Sequence, residues 1–402
     1  MLLKIITTLA SIFLLIFTWC WVDFKLGHKR NMKQVTNIKY PPRKSDMTVF
    51  TSGKILFDDF MKEIKLAQDS IHILFYIVKN DKFSKEFLKL LQTKAEAGVE
   101  VRLLVDRIGS KNISRESIQE LKKSGVHFSF SFKPKLPFLF YSIQKRNHRK
   151  ITVIDGRIGY LGGFNIGKEY INQGEKLNPW RDYHVKITGE GVKDLQEVFL
   201  SDWVHDTNED YRGTPAYFPT LVPGTQAHQV IVTNGSHLEQ TLTRLIQQAE
   251  KKIIIGTPYF IPSQTLFQEL RSALARKVSV TVIVPEMSDH ALVKEASFPY
   301  FRVLLKEGAA ILQFQRGFYH SKVILIDDII CDVGTANFDK RSLFLNSEIN
   351  CLIFDRAFIE DVKKELAVDI AESKPLSRDS LSSINVVRTA KESLASILSP
   401  FL

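Results

Sequence analysis

His148-Arg149-Lys150-Ile151-Thr152-Val153-Ile154-Asp155, followed by Gly162-Gly163-Phe164-Asn165, returns as His320-Ser321-Lys322-Val323-Ile324-Leu325-Ile326-Asp327, followed by Gly334-Thr335-Ala336-Asn337. Both copies read H-x-K-x4-D-x6-G-[GT]-x-N, and every landmark is displaced by the same 172 positions. Packing alone does not preserve a His, a Lys, an Asp and an Asn in one frame. The chain is therefore read as a duplication built around one chemical unit. Between Lys and Asp, the β-branched runs at 151–154 and 323–326 spell buried strands. Side chains two apart on a strand share a face, so His148 points with Lys150, and His320 with Lys322. An imidazole beside an ammonium on a rigid strand suits an anion such as phosphate. The imidazole titrates near neutrality and can act as nucleophile or as general acid. Asn165 and Asn337 follow in Gly-bearing turns, where an amide can donate to a phosphoryl oxygen. With two copies, one His can attack phosphorus while the other protonates the leaving oxygen.

The doubled frame resembles the phospholipase D superfamily. Its flanks narrow the resemblance to bacterial cardiolipin synthases: Asn147 before the first motif, Ile166-Gly167 after it, Trp180-Arg181-Asp182-Tyr183-His184-Val185, Phe338 through Ser342, and Leu345-Asn346-Ser347-Glu348. The ending Ser399-Pro400-Phe401-Leu402 is also similar to that family's C-terminus. The resemblance covers roughly residue 45 to the end. It implies His148 as nucleophile and His320 as acid and base, with Lys150, Lys322, Asn165 and Asn337 holding the phosphate. It implies Asp182 and Glu348 as the carboxylates that orient the two His. Asp155 and Asp327 complete the catalytic motif as its structural members. Lys340, where many relatives carry Met, is expected to adjoin the site and bear on substrate preference. No cofactor and no metal ion is implied.

Composition agrees with a membrane partner without requiring one. The net charge of +11 calls for an acidic partner, and both nucleic acid and an anionic lipid surface qualify. Cys20, Cys331 and Cys351 are sparse and form no C-x-x-C pair, which excludes a disulfide framework and argues against a zinc site. Residues 5–22 carry no charge. As a helix they reach about 27 Å, just enough for a bilayer core. Trp19, Trp21 and Phe24 sit where interfacial aromatics belong, and Lys25, Lys29, Arg30 and Lys33 follow against only Lys4 before. The positive-inside rule then puts the body in the cytoplasm. No A-x-A cleavage site follows, so an uncleaved anchor is expected rather than a signal peptide.

Outward from the motifs the halves run in parallel. Strands are expected at 71–78, 99–105 and 126–130, alternating with helices at 55–67, 82–97 and 115–124; the pattern restarts at 238–249, 252–256, 264–276, 278–284, 292–307 and 310–315. Such alternation argues for largely parallel sheet with helices on its faces. The fold class is thus α/β: a duplicated phospholipase D-like fold, two mixed sheets flanked by helices and related by a pseudo-twofold, with an N-terminal membrane helix. The expected division is 1–39 for the anchor and its basic segment, 40–224 and 225–372 for the two repeats, and 373–402 for an amphipathic tail, with apolar positions such as Ile384, Val387 and Leu394, docked on the body. Residues 214–224 read as a linker. At 133–141, two prolines and two lysines surround an aromatic run, which suggests an exposed loop dipping Phe138 and Phe140 into the bilayer interface. His184 is given no role. Phe298, Tyr300, Phe301 and Phe318 can line a lipid groove but more often belong to the core.

The residues by themselves reach a two-histidine phosphodiester transfer at a membrane. The resemblance adds the substrate: a phosphatidyltransferase at the cell membrane that makes cardiolipin and glycerol from two phosphatidylglycerol molecules, with an anionic phospholipid membrane as partner and no nucleic acid. The alternative is a hydrolase or nuclease of the same chemistry with water as acceptor. The sequence carries no signal for oligomeric state.

Overall fold

The computed structural model describes residues 1–35, 38–290, 292–382 and 386–399. The expected tail position Ile384 and the terminal Pro400, Phe401 and Leu402 lie outside them, as do the side chains of Ile397 and Leu398. Within each half the strand order is the same. In the first, Trp180–Gly189, Ile158–Gly162, Ile151–Ile154, Ser70–Phe75, Glu100–Asp106 and His127–Ser131 lie side by side. In the second, Ser347–Ile353, Ile330–Gly334, Val323–Ile326, Lys252–Gly256, Ser279–Pro285 and Ala310–Phe314 repeat that order. The outer three strands of each half are parallel, as the β-α alternation requires. The motif strand and its hairpin partner are antiparallel. The helices between them stop where expected, Gly98 and Gly125 taking φ of +90° and +93° just past two of their ends.

The two mixed sheets are present as halves of one continuous path, because two further strands join them. Arg43–Ser52 pairs with Trp180–Gly189 on one side and, through Arg43 to Ser45, with Gln226–Asn234 on the other. Neither strand was expected. Ser45, Asp46 and Thr48 break the first into a polar alternation with no apolar run to mark it. Burial follows the joining. One apolar cluster draws Val153, Leu161 and Val185 from the first half together with Val323, Val333 and Ile349 from the second. Of two flanking clusters, one lies within the second half and the other within the first, apart from Phe318 inserted from the second. The 214–224 segment is no loose linker: Tyr217 is buried, donates to Glu100 at 2.6 Å and accepts from the buried Arg102 at 2.8 Å.

The N-terminal helix runs from Leu2 to Gln34, well beyond the 18 apolar residues that end at Val22. It is long and apolar enough to cross a membrane, a candidate anchor. Its basic end is helical too, and it docks on the short helix Leu139–Gln144. Asp23 accepts from the backbone N–H of Tyr141 at 2.9 Å, and Lys145 donates to Asn31 at 2.7 Å. Gly27 allows this approach, since a Cβ there would lie 2.6 Å from that of Tyr141. His28 reaches the carbonyl of Phe344, tying the same helix to the second half at 3.1 Å. The 133–141 loop is consequently only partly exposed. Phe138 and Phe140 are half-buried, Phe140 packing near Phe24, and the exposed tip is Leu136-Pro137. At the other end, helix Val386–Leu398 docks on helix Val293–Lys306 through Glu392 and Arg302, 2.6 Å apart.

Candidate active site

Each motif strand begins against the carboxylate strand of the opposite half. The N–H of His148 donates to the carbonyl of Ser347 at 2.9 Å, and that of His320 to the carbonyl of Arg181 at 2.8 Å. Phe318-Tyr319 runs parallel beside Trp180-Arg181, and Asn147 bridges to Ser347 in the same sense. This register places each imidazole over the next residue of the partner strand. Nδ1 of His148 lies 2.9 Å from Oε2 of Glu348, and Nδ1 of His320 lies 2.6 Å from Oδ2 of Asp182. The orienting carboxylates are therefore exchanged between halves. Both His are largely buried yet line one cleft of about 810 Å³, together with Asn165 and Asn337.

The two carboxylates are seated differently. Glu348 accepts from Thr335 at 2.6 Å and from Ser342 at 2.8 Å. Asp182 accepts from the backbone of Tyr183 and lies 3.5 Å from Lys322. At the position of Thr335 the first half carries Gly163, where a Cβ would stand 2.0 Å from Asp182. The G-[GT] variation in the motif is thus steric. Asp182 needs the empty space, whereas Glu348 uses the hydroxyl.

Electrostatics keep the imidazoles neutral and the carboxylates charged. Burial lowers the pKa of His148 despite the opposing Glu348. Burial, with Lys322 adding to it, holds His320 at about 4. For Asp182 and Glu348, burial opposes ionisation, but Lys322 and His320 outweigh it for the first, and His148 and Lys150 for the second, so both pKa values fall below the ordinary range. Burial also pushes the two ammonium groups down, Lys150 to about 7 and Lys322 to about 8. Lys150 donates to the carbonyl of His148 at 2.8 Å. Lys322 donates to the carbonyl of His320 and lies beside its ring, 2.6 Å from Nδ1 and 3.2 Å from Nε2.

Asn165 accepts from the N–H of Ile77 at 3.1 Å; Asn337 donates to Asp339 at 3.2 Å, and its buried Oδ1 has no partner among the described residues. Asp155 and Asp327 are not brought to the cleft. Each follows the far end of a four-residue strand, seven residues beyond its His and so roughly 20 Å away along the extended chain. There Asp155 accepts the backbone N–H groups of Gln68, Asp69 and Ser70, and Asp327 those of Glu250, Lys251 and Lys252. Both sit at positive φ, 51° and 53°, in turns they hold shut. Their place in the motif is structural. Lys340 also turns away, its ammonium donating to Ser399 at 2.9 Å, so it does not line the cleft. His184 is buried and, held near 3 by burial, neutral. Phe298 and Phe301 belong to the core, and Phe318 packs near His320.

Several cleft residues are given no role by the sequence reading. Tyr76 stands edge-on to His148, and Trp180 lies beside His320, ring centroids 4.9 Å away in each case. Arg146 and Arg341 add positive charge to the lining. Arg149 does have a signal in retrospect, because alternation on the strand turns it away from His148 and Lys150. It is fully buried, donating to Asp202 at 2.5 Å and, across the halves, to the carbonyls of Glu348 and Thr233 at 3.2 and 2.9 Å. Arg149→Ala is expected to strand Asp202 and cost about 3–5 kcal/mol, read as a shifted denaturation midpoint. A loss below about 1 kcal/mol would remove Arg149 as the lock between halves.

Comparison with known proteins gives the family and the fold. The family model described as cardiolipin synthase, PLD-like domain, matches residues 60–203 and 242–370. The minor cardiolipin synthase ClsB of Bacillus subtilis is 41% identical over 400 residues, covering all of both chains. A cardiolipin synthase of Staphylococcus aureus is 36% identical over 89% of this chain and 74% of its own. Among solved structures, the phosphatidylserine synthase of Haemophilus influenzae superposes over 94% of this chain and all of its own with a TM-score of 0.72 at 19% identity, a likeness of fold. A polyphosphate kinase of Porphyromonas gingivalis superposes over 89% of this chain and 53% of its own, with a TM-score of 0.56 at 13% identity.

Proposed function

The chain belongs to the cardiolipin synthase family of phospholipase D-like enzymes, and from that premise we propose that it joins two phosphatidylglycerol molecules into cardiolipin and glycerol by way of a phosphohistidine. The observation that carries this reading is the crossed pair, His148 on Glu348 and His320 on Asp182, facing one cleft. Nε2 of His148 attacks phosphorus of the first lipid. The P–N bond forms, the P–O bond to glycerol breaks, and His320 delivers the proton to the departing oxygen. A hydroxyl of the second phosphatidylglycerol then gives its proton back to His320 and attacks phosphorus, and the P–N bond breaks.

His320 is neutral in the empty cleft and must gain its proton first. The anionic phosphodiester entering beside it favours that protonation. The ammonium of Lys322 lies against the His320 ring, 2.6 Å from Nδ1 and 3.2 Å from Nε2, and lowers its basicity, whereas Lys150 donates to the carbonyl of His148. This asymmetry favours His148 as nucleophile. The candidate anchor Leu2–Gln34 seats the enzyme in the cell membrane, and the basic residues after Val22 favour a cytoplasmic body.

The test supplies purified protein with phosphatidylglycerol vesicles in the presence of chelator and reads products by lipid mass spectrometry. Cardiolipin plus glycerol, absent with His148→Ala, is the expected result. Phosphatidic acid alone would make the acceptor water and overturn the transferase reading.

The lysine pKa values add a pH signature. An ammonium is charged below its pKa, so the empty cleft loses positive charge as pH rises through about 7 and about 8. kcat/KM is expected to fall across that window, mostly through a rising KM, because bound phosphate keeps both lysines protonated. A kcat/KM that stays flat to about pH 9 would contradict the role of Lys150 and Lys322.

A further inference from the structure

A second cleft of about 460 Å³ lies where the N-terminal helix meets the 133–141 loop, outside the catalytic cleft. Arg30, Lys133, Lys135 and Lys145 line it, together with the apolar Leu136 and Phe138. Among the described residues the only carboxylate in the lining is Asp206, which is partly engaged: its Oδ1 accepts from the N–H of Phe132 at 3.2 Å and lies 3.1 Å from Nδ1 of His205. Four cations thus face one acid. Among the described residues, the charged groups of Arg30, Lys133 and Lys135 have no ion-pair or hydrogen-bond partner. Lys145 is half-buried, donating to Asn31 while its ammonium stands 4.8 Å from the Phe132 ring.

The position selects the ligand. Directly before this cleft, the helix presents exposed Trp19, Trp21, Val22 and Leu26, the end of its apolar span. A molecule held here would have its charged part among the lysines and its apolar part along the helix. We propose that this cleft binds an anionic phospholipid, its phosphate among Lys133, Lys135, Lys145 and Arg30 and its acyl chains beside the N-terminal helix. The proposal rests on that helix being seated in a membrane, and not on the transferase chemistry.

The cleft also has a mechanical link to the active site. Helix Leu139–Gln144 forms a shared wall. Its Ser142 lines the second cleft and offers its carbonyl to Arg146, which lines the first. Arg341, also in the first, donates to the carbonyl of Gln144 at 2.7 Å. Occupation of the lipid cleft therefore steadies the segment that leads into His148.

The experiment uses the full chain carrying His148→Ala, so that no lipid is consumed, in phosphatidylcholine vesicles doped with diazirine-labelled phosphatidic acid. Adducts are mapped by peptide mass spectrometry. The expected result is labelling of peptides from 24–31 and 132–145, reduced at least fivefold by Lys133→Glu/Lys135→Glu, two exposed sites that leave folding intact. Labelling of peptides from the catalytic cleft serves as the internal reference and stays unchanged. Lys29→Glu/Lys33→Glu changes the charge of the same helix equally but outside the cleft, and is expected to have little effect. Equal loss in both double variants would reduce the feature to general surface charge and overturn the proposal. Displacement by millimolar inorganic phosphate would overturn the lipid in favour of a free anion. Retained labelling in Lys133→Glu/Lys135→Glu would overturn the site itself. None of these outcomes depends on cardiolipin formation, so failure here and failure of the transferase reading are distinguishable.

Discussion

Replacing His148 with alanine is expected to lower cardiolipin formation by roughly 10⁴-fold or more, with the fold retained. The size follows from the step it removes. Without Nε2 of His148 no P–N bond forms, and the remaining cleft only gathers lipid and charge. The companion His320→Ala should cost less, about 10²–10⁴-fold, because it removes proton transfer and leaves the nucleophile. The two losses separate on a phosphatidyl ester of p-nitrophenol. That leaving group needs no proton, so His320→Ala should still form the adduct, and with no base to activate the second alcohol the adduct should accumulate. Intact-protein mass spectrometry is expected to show one phosphatidyl group on the peptide containing His148. An adduct on His320 in the His148→Ala protein would reverse the two roles.

Glu348→Gln is expected to reduce kcat by about 10³-fold with little change in KM. The carboxylate lies in the second half and acts on a histidine of the first, at 2.9 and 3.1 Å from Nδ1. In the proposed reaction it fixes the tautomer that leaves the Nε2 lone pair facing the cleft, and it stabilises the positive charge that the imidazole gains when the P–N bond forms. Glutamine keeps the size and loses the charge. A merely structural role would not move the pH profile, but this role should. Glu348 raises the pKa of His148 against the effect of burial. Its neutral replacement lets that pKa fall further, so the acid limb of kcat/KM, where the nucleophile becomes protonated, should move to lower pH. A loss under tenfold with an unmoved acid limb would mean that Glu348 does not orient the nucleophile.

Much of this is legible in the sequence. The motif strands, their hairpins and most flanking helices follow from local periodicity and turn residues, which act over a few positions. The polar strand Arg43–Ser52 escaped because its side chains alternate without an apolar run, and its pairing depends on strands more than a hundred residues away. The helical extension to Gln34 escaped for a related reason. Its basic residues look like a juxtamembrane segment, and only docking by Asp23, Gly27 and Asn31 shows a helix face. Lys340 is expected to adjoin the site from the motif in which it stands, yet its ammonium reaches Ser399 instead. Asp155 and Asp327 share the motif with His148 and His320 but lie at the far end of a strand, where their carboxylates tie down backbone N–H groups.

By itself, the sequence determined the chemistry available: two His-Lys pairs, each sharing one strand face, two Asn in following turns, and two carboxylates. Side-chain alternation along an extended backbone decides that much locally. Only the tertiary structure decided which carboxylate serves which histidine. His148 and Glu348 are 200 residues apart, and His320 and Asp182 are 138 apart. No local rule links positions at such separations. The exchange is set by the parallel register of Phe318-Tyr319 on Trp180-Arg181 and of Asn147 on Ser347, and by a central apolar core that both halves must fill together. That shared burial turns two copies of one motif into a single cleft.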